Sequence, residues 1–402
     1  MNELQGVVDA LAASLGRPVG VDDRRFRTLA YSSHVDAVDP VRLASILQRE
    51  APREVTGWLE SLGVRDAEGY VRVPANSDFG MAARVCVPIR FDGELLGYLW
   101  LIDEPEPLSE ADLDASLRST EELGVELFRL RRLEHEERER ERELLLALAG
   151  RRADTTPAEA AAALVRDGFL ATAPAYGVVA LTALHEQGHE APDAVRVRLA
   201  SAAEHARRAV APRHLLVLVD GEQVAGVLAC VGEEELKRRA EALVAEATRN
   251  LRDNDGWSAV VGVGDLRAAP GGLPAAYEEA ELALAVERAA RGFGPLVRWS
   301  ALGAYRVLAR LGAGRDLAAL VPDSLRRLLA SPEADVLVPT LACYLDHGAD
   351  ARTAAAALFV HRSSLYGRLH RIEQIAGVDL RSGEDRLELH LGLRLRRLAG
   401  ER

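Results

Sequence analysis

The feature that most constrains this chain is a helical stretch from Ser109 to Leu148 that contains no proline. Ser109 and Asp112 have the spacing of a helix-capping pair at its start. A helix of about 20 residues already spans a small domain, so this stretch predicts a connector between separately folded parts. The chain has 402 residues, of which 48% are hydrophobic, and these suffice for two or three cores.

Two interpretations of this connector remain open. Charges of both signs run from Arg129 to Glu143, which is typical of a solvated helix with ion pairs between successive turns. The alternative is a signalling helix between parallel protomers, with a coiled-coil seam of leucines that glutamates on the same seam weaken. The residues of that seam are Leu123, Leu127, Leu130, Leu144 and Leu148, with Glu134, Glu137 and Glu141.

Mixed helix and strand patterns lie on both sides of the connector. Before it, Val19 to Tyr31 alternates like strands, and Arg84 to Ile102 predicts a hairpin with Asp92-Gly93 as its turn. After it, strands are predicted at 178–184, 215–219, 224–231 and 259–263, with helices at 195–210 and 233–252. From about Ser300 onward the strand patterns disappear, so residues 301–402 are predicted to be all helical.

A short helix, a tight turn and a longer helix follow one another near the C-terminus. The short helix is predicted at 351–358 and the longer one at 362–376, which is the helix-turn-helix layout. Ala354 and Ala355 are small enough to let the two helices approach closely. Apolar residues at helical spacing predict the buried stripe: Val360, Leu365, Leu369 and Ile372.

The opposite face of the longer helix is the candidate DNA-binding surface. Arg362, Ser363 and Ser364 lie at its N-terminal end and are candidates for base contacts, and Arg368 and Arg371 for phosphate contacts. An amphipathic helix with a basic exposed face is the alternative. The predicted DNA-binding residues are Arg362, Ser363, Ser364, Tyr366, Arg368, His370 and Arg371.

The distribution of charge favours DNA contact at this end alone. The net charge of −12 argues against a chain that coats nucleic acid over its whole surface. From residue 351 to residue 402, ten arginines stand against six acidic residues, a balance of +4, which leaves −16 for residues 1–350. Phosphate binding is therefore electrostatically plausible only in the C-terminal segment.

Several segments here form a recognisable signature: 344–348, 354–362, 365–373, 377–380 and 385–389. Together they resemble the C-terminal domain of PucR/CdaR-type bacterial regulators. Ser363 and Ser364 replace the usual Asn and Thr of that family, and Gly367 replaces a polar residue. The resemblance implies a dimeric DNA-binding domain with its core at 339–399, while the substitutions leave the operator sequence open.

Further segments extend this resemblance upstream. Residues 262–266, 277–284 and 302–306 resemble the degenerate GGDEF-like middle domain of the same regulators. The N-terminal hairpin and the length of its segment resemble a GAF sensor domain. The implied fold class is an α+β multi-domain protein: a GAF-like α/β sensor (1–119), a long helical linker (120–150), a degenerate GGDEF-like α/β domain (151–300) and an all-α region with the helix-turn-helix (301–402).

A GGDEF-like fold raises the question of diguanylate cyclase activity, which needs carboxylates that hold Mg²⁺ against a triphosphate. Gln223 replaces one of two expected adjacent carboxylates, and residues 181–184 contain no Asp. We therefore predict no enzyme, no catalytic residue, no metal site and no cofactor. The histidines of this region lack carboxylate or Cys partners at ligand spacing: His185, His189, His205 and His214.

The remaining features predict a cytoplasmic protein. Cys86, Cys230 and Cys343 are far apart, which suits a reducing compartment. The N-terminus has no signal-peptide pattern, and no apolar run approaches the about 20 residues that a membrane span needs. Neither secretion nor membrane insertion is expected.

The hypothesis that combines these observations is a ligand-responsive transcription regulator. A small effector of unknown identity binds the first domain, the long helix transmits the change, and two helix-turn-helix units in a homodimer bind a double-stranded DNA operator. Candidate effector-binding residues are Tyr31, Phe79, Tyr98 and Trp100, with core packing as the alternative for each. The alternative function is a ligand-binding signalling protein whose helix-turn-helix contacts only proteins, because Ser363, Ser364 and Gly367 lack the basic or amide groups that normally stand there.

Overall fold

The computed structural model describes residues 2–33, 39–221, 223–252, 256–312 and 316–400. The chain forms two compact units, residues 1–139 and residues 140–402. The predicted connector is present as a single helix, α4 (Glu110–Leu148). The Ser109 hydroxyl accepts a hydrogen bond from the backbone N–H of Asp112, and the Asp112 carboxylate accepts one from the backbone N–H of Ser109, so the predicted cap is confirmed.

The first unit is built on a five-stranded antiparallel sheet of order β2-β1-β5-β4-β3. Asp92 and Gly93 both have positive φ in the turn between β4 and β5, which is the conformation that a two-residue hairpin turn requires. The predicted hairpin is therefore confirmed. The strands are β1 (Val19–Asp23), β2 (Thr28–Tyr31), β3 (Val71–Val73), β4 (Arg84–Phe91) and β5 (Glu94–Ile102), and the helices before α4 are α1 (Asn2–Leu15), α2 (Pro40–Gln48) and α3 (Arg53–Ser61).

Both faces of this sheet are covered. On one face, Val19 and Val21 of β1 pack in a core with residues of α1 and α4. On the other face, Tyr98 and Trp100 of β5 pack with residues of α2 and α3. Asp22 is paired with Tyr98 in the register of β1 and β5, so alternation places Asp22 on the face of Tyr98 and Trp100.

The middle of α4 differs from its two ends. Residues 131–140 are all exposed, and ion pairs such as Arg132–Glu136 join successive turns there. The leucines at the two ends are instead buried within the units: Leu123 and Leu127 in the core of the first, and Leu144 and Leu148 in that of the second. The leucines proposed for a seam between protomers thus pack within the cores of one chain.

The second unit begins with a five-stranded sheet of order β10-β9-β6-β8-β7, antiparallel except for the pair β9 and β10. Helices α6 and α7 cover one face, and α5, α8 and the end of α4 cover the other. The three-residue strand β10 was not predicted. The elements are β6 (Ala175–His185), β7 (Leu215–Asp220), β8 (Gln223–Cys230), β9 (Trp257–Val263), β10 (Leu296–Arg298), α5 (Pro157–Arg166), α6 (Asp193–Arg208), α7 (Glu233–Leu251) and α8 (Leu273–Ala290).

Two glycines explain how α8 packs on this sheet. A Cβ atom at Gly262 would lie 2.3 Å from the carbonyl oxygen of Ala280, and one at Gly264 would lie 2.1 Å from that of Ala276. Only glycine allows an approach of helix to strand this close. The Gly-x-Gly sequence therefore serves packing.

Six α-helices complete the described part of the second unit, and the described residues between 301 and 400 contain no strand. Their common core includes buried residues from α10, α11, α12, α13 and α14. The guanidinium of Arg394 lies 5.0 Å from the ring centroid of Tyr305, a cation–π contact that joins the last helix to α9. The helices are α9 (Tyr305–Gly312), α10 (Asp323–Leu329), α11 (Ala334–Asp346), α12 (Ala351–Ala357), α13 (Arg362–Ala376) and α14 (Gly383–Leu398).

Candidate nucleic-acid interface

Helix α13 has the bounds that the sequence predicts, and local interactions set both ends. At the start, Nδ1 of His361 accepts a hydrogen bond from the backbone N–H of Ser363 at 3.3 Å. At the end, Gly377 takes the left-handed conformation with φ of 69°. The helix preceding the turn, α12, is capped by Asp350, whose carboxylate accepts from the backbone N–H of Arg352 at 2.9 Å.

The buried side of α13 is the predicted apolar stripe. Leu365, Leu369 and Ile372 are buried in a core shared with α10, α11 and α12. Ala354 and Ala355 of α12 are buried in the same core, as expected for small residues at a close contact. Only one side of α13 therefore remains for contact with another molecule.

The N-terminal half of the other side is open to solvent. Arg362, Ser363 and Ser364 are exposed, and Tyr366 is 53% exposed. Arg362 forms no ion pair with any residue that the structure describes. Gly367 belongs to the same face, and a Cβ atom there would meet nothing within 4 Å. This end of the helix presents the Arg362 guanidinium and two serine hydroxyl groups to solvent, and that of Ser363 lies 2.8 Å from Nδ1 of His361.

The C-terminal half of the same side is already engaged. Arg368 is half-buried, and its Nη1 donates a hydrogen bond to the hydroxyl of buried Thr340 at 3.2 Å. Arg371 is paired with Glu333 at 2.8 Å, and His370 lies 3.6 Å from the carboxylate of Glu373. The predicted phosphate-binding residues thus also hold α13 in place, and sequence reasoning missed this second role.

Phe359, in the turn between α12 and α13, is a candidate that sequence reasoning missed. It is 95% exposed and has a positive φ of 54°, a conformation that normally favours glycine or asparagine. The sequence alone could have identified Phe359, because it is a large apolar residue in a turn next to the candidate surface.

Two titratable groups near the turn have shifted pKa values. The hydrogen bond from the Thr353 hydroxyl, followed by that from the backbone of Arg352, lowers the pKa of the exposed Asp350 carboxyl. Burial raises the pKa of the Tyr344 hydroxyl. Asp350 is therefore ionised and Tyr344 neutral near pH 7, so the cap of α12 keeps its charge.

The four aromatic residues predicted to bind an effector lie in different surroundings. Tyr98 is fully buried and stacks on Phe26 with ring centroids 4.7 Å apart. Phe79 packs edge-on against Trp58 at 6.0 Å. Trp100 is 7% exposed and Tyr31 is 42% exposed, and both line one cavity of the first unit.

Two positions of the middle sheet carry no carboxylate where a cyclase needs one. Thr182 is buried in β6, and Gln223 is the first residue of β8. Among the described residues, no group of three or more His, Cys, Asp or Glu side chains is placed to hold a metal ion. Over the same ranges, no helix has both the length and the apolar composition for crossing a membrane.

Comparisons with known families match two parts of the chain. The PucR C-terminal helix-turn-helix domain matches residues 337–395, which include α12 and α13. The GGDEF-like domain matches residues 149–286, which include strands β6 to β9.

Three characterised relatives match most of the chain. A DNA-binding transcriptional activator of Bacillus subtilis, AdeR, is 24% identical over 99% of this chain and 94% of its own length. The proline-responsive transcriptional activator PutR of the same organism is 23% identical over 98% and 96%. The carbohydrate diacid regulator of Escherichia coli is 24% identical over 79% and 80%.

A regulator of polyketide synthase expression from Bifidobacterium adolescentis has a solved structure that is 17% identical, covering 64% of this chain and 92% of that one with a TM-score of 0.32.

The matched families and the relatives define the class of this protein, a helix-turn-helix transcriptional regulator. Within that class, the chain shares the C-terminal helix-turn-helix and the GGDEF-like domain of PucR/CdaR-type regulators, and the predicted α+β fold class is confirmed.

Proposed function

We propose that the chain is a cytoplasmic, effector-responsive homodimer that binds a double-stranded DNA operator through the exposed face of α13. The observation that carries this proposal is the solvent-facing N-terminal half of α13, where Arg362, Ser363, Ser364 and Tyr366 are exposed beside a fully packed apolar face. A helix presented in this way has the shape and donors that the major groove accepts.

The residues of this face divide into two roles. Arg362, Ser363 and Ser364 contact base edges, because the N-terminal end of a recognition helix enters the groove. Arg368, His370 and Arg371 lie further along, where they contact the phosphate backbone while Arg368 also holds α13 against Thr340. Tyr366, between the two groups, packs on the sugar and phosphate at the edge of the groove.

A dimer follows from the energetics of short recognition helices. One helix contacts only a few base pairs, so a single protomer binds weakly, and two half-sites about one helical turn apart add their contributions. The relatives support both parts of the proposal, since AdeR is named a DNA-binding activator and PutR a proline-responsive one. We propose Tyr31, Phe79, Tyr98 and Trp100 as part of the effector-responsive domain, within a division at residues 1–119, 120–150, 151–300 and 301–402.

The middle domain has a structural role in this proposal and no catalytic one. Gln223 stands where one of two adjacent carboxylates is needed, and residues 181–184 of β6 contain no Asp. This pair of replacements removes carboxylates that would hold Mg²⁺ against a triphosphate.

Footprinting on DNA from upstream of the gene tests the proposal. The full-length protein is expected to protect two symmetric half-sites, and Arg362→Ala is expected to require about 5- to 150-fold more protein for the same protection. Arg381→Ala is the matched control, since it removes an equal charge in the loop beyond the C-terminal end of α13, where Arg381 is 91% exposed. Equal protection by Arg362→Ala and the wild type contradicts the proposal.

A helix-turn-helix that contacts only proteins is the second candidate, and the exposed Phe359 favours it. Genome-wide occupancy separates the two functions. A protein-contact module gives no peaks that share a DNA sequence, whereas the DNA-binding function requires such peaks and their loss in Arg362→Ala.

A further inference from the structure

An elongated cavity lies within the second unit, between its sheet and the helices α6 and α7. Its volume is about 670 Å³, and small-molecule sites commonly measure about 300–1,000 Å³. Five apolar side chains from β6, β7 and β8 line its floor: Val179, Leu215, Val217, Val224 and Leu228. The cavity therefore has the size and the apolar character of a ligand site.

Small residues leave this space open on each side. Gly226, opposite Val179 in the sheet, has no side chain to fill the floor. Ala203 and Ala206 line the wall formed by α6, and Ala242 lines the wall formed by α7. Ala242 is also exposed, so the cavity opens to solvent along α7. Protein interiors contain few voids larger than a water molecule, so space of this extent beside a packed core is unusual.

The shape of the cavity follows α7. This helix lines the cavity at every turn from Glu235 to Arg249. An α-helix rises about 1.5 Å per residue, so this stretch of α7 measures about 20 Å. A compact ligand would leave part of such a cavity empty, whereas an extended chain can follow it. The shape therefore favours a ligand with a long, narrow body.

The acidic and arginine side chains that line the cavity leave one positive charge unmatched. The Glu235 carboxylate accepts a hydrogen bond from Nε of Arg239 at 2.9 Å, and Glu246 forms an ion pair with Arg249. Arg238 is exposed at the same cavity, and across the ranges that the structure describes it forms no ion pair. A guanidinium can hold both oxygens of a carboxylate at once. The unmatched charge therefore suits a ligand with a single carboxylate.

We propose that this cavity binds an unbranched aliphatic carboxylate, whose chain lies between α6 and α7 and whose carboxylate pairs with Arg238. Val210 and Val217, which are only partly buried beside the same core, become covered by the chain. Removal of this apolar surface from water supplies most of the affinity. The site lies in the second unit, so the inference goes beyond the effector site proposed for the first unit.

Calorimetric titration of the full-length protein with hexanoate, octanoate and decanoate tests this inference. Each added CH₂ group is expected to strengthen binding about two- to fourfold, because it buries more apolar surface. Octan-1-ol and octylammonium have the same chain without a negative charge, and both are expected to bind at least about fivefold more weakly than octanoate. The inference is overturned if none of the carboxylates binds, if affinity does not depend on chain length, or if octan-1-ol binds as tightly as octanoate.

Two pairs of matched variants locate the site. Ala242→Phe fills the cavity and is expected to weaken octanoate binding at least about tenfold, whereas Ala245→Phe changes an exposed residue of α7 outside the cavity and should bind as the wild type does. Arg238→Gln is expected to weaken octanoate binding and to leave octan-1-ol binding unchanged. Its control is Arg208→Gln, at an exposed arginine of α6 that does not line the cavity. Unchanged octanoate affinity in Ala242→Phe or in Arg238→Gln contradicts the assignment.

A second copy of the chain is the alternative occupant, because β7 is an edge strand of the sheet. Sedimentation velocity of the wild type and Ala242→Phe distinguishes the two occupants. A change of oligomeric state in Ala242→Phe, without octanoate binding by the wild type, assigns the cavity to contact between copies and overturns the inference. Loss of operator binding instead contradicts the proposed function alone, because α13 does not line this cavity.

Discussion

The exposed face of α13 and the cavity beside Asp22 both present polar side chains, but their surroundings differ. Arg362, Ser363 and Ser364 are solvated by water until a partner arrives. Asp22 is instead buried beside Thr28, Trp100 and Arg84, and this burial raises the pKa of its carboxyl to about 6. Solvated polar groups cost little to maintain, whereas buried unpaired ones lower stability. A surface of the first kind suits a large partner such as DNA, whereas a buried carboxyl with a raised pKa makes stability depend on pH.

The largest effect is expected within α13, where a buried residue and an exposed residue are neighbours in the sequence. Leu365 is fully buried, so Leu365→Ala should lower the free energy of unfolding by about 2–5 kcal/mol. Ser364→Ala, one residue earlier on the exposed face, should change it by less than about 0.5 kcal/mol. Denaturant unfolding monitored by circular dichroism measures both. Similar losses in the two variants would mean that the two faces are not distinct.

The next largest effect concerns the pH dependence of the first unit. The pKa of Asp22 is raised in the folded chain to about 6, so folding favours the protonated carboxyl. The free energy of unfolding should therefore fall as pH rises from about 4 to about 6, by up to about 3 kcal/mol.

Asp22→Asn tests this prediction, because it removes the titrating group and should flatten that pH range. Asp23→Asn is the control and should retain the slope. Melting temperatures of both variants between pH 4 and pH 7 provide the comparison. A wild-type protein whose stability rises over this range, with Asp22→Asn following it, would show that Asp22 is not the group responsible.

A smaller effect is expected at Arg368, which is half-buried between the exposed side and the buried side of α13. Thr340→Val removes the hydroxyl that accepts from Arg368 and should lower the free energy of unfolding by about 1 kcal/mol. DNA affinity should change less than in Arg368→Ala, because the guanidinium is retained. Unfolding curves and operator titrations of the two variants test this. Equal DNA affinities in both would assign Arg368 to structure alone.

The smallest effect is expected at Phe359, in the turn before α13. Phe359→Gly relieves the positive φ of 54° and should raise the free energy of unfolding by about 0.5 kcal/mol, since glycine also gains freedom in the unfolded chain. Phe359→Ala keeps the strain and serves as the control. A loss of stability in the glycine variant would indicate that the ring makes a contact that its exposure does not suggest.

The two regions also differ in how far the sequence alone predicts them. The exposed face of α13 can be predicted from the helical spacing of its apolar residues alone. Leu365, Leu369 and Ile372 define the buried side, and the rest faces outward. The engagement of Arg368 with Thr340 was missed, since it joins residues 28 positions apart on different helices. Helical spacing predicts which side of a helix a residue occupies, but it does not predict which residue of another helix its side chain contacts.

The Asp22 cavity was missed for a related reason. The alternation of Val19, Gly20, Val21 and Asp22 in β1 resembles a strand with one apolar and one solvated face. In the structure, α2 and α3 cover the second face, and Arg42 and Arg84 come from distant parts of the chain. Trp100 was chosen as an aromatic lining residue, but its position beside the buried Asp22 becomes visible only with that packing.

The central claim is that Arg362 and its neighbours on α13 contact DNA bases. Selection of half-sites from randomised DNA by the wild type, Arg362→Ala and Arg381→Ala tests it most directly. Arg362→Ala is expected to lose base preference at one position in each half-site, with an affinity loss of about 5- to 150-fold. Arg381→Ala should keep the wild-type preference. An unchanged preference in Arg362→Ala at every position would contradict the account.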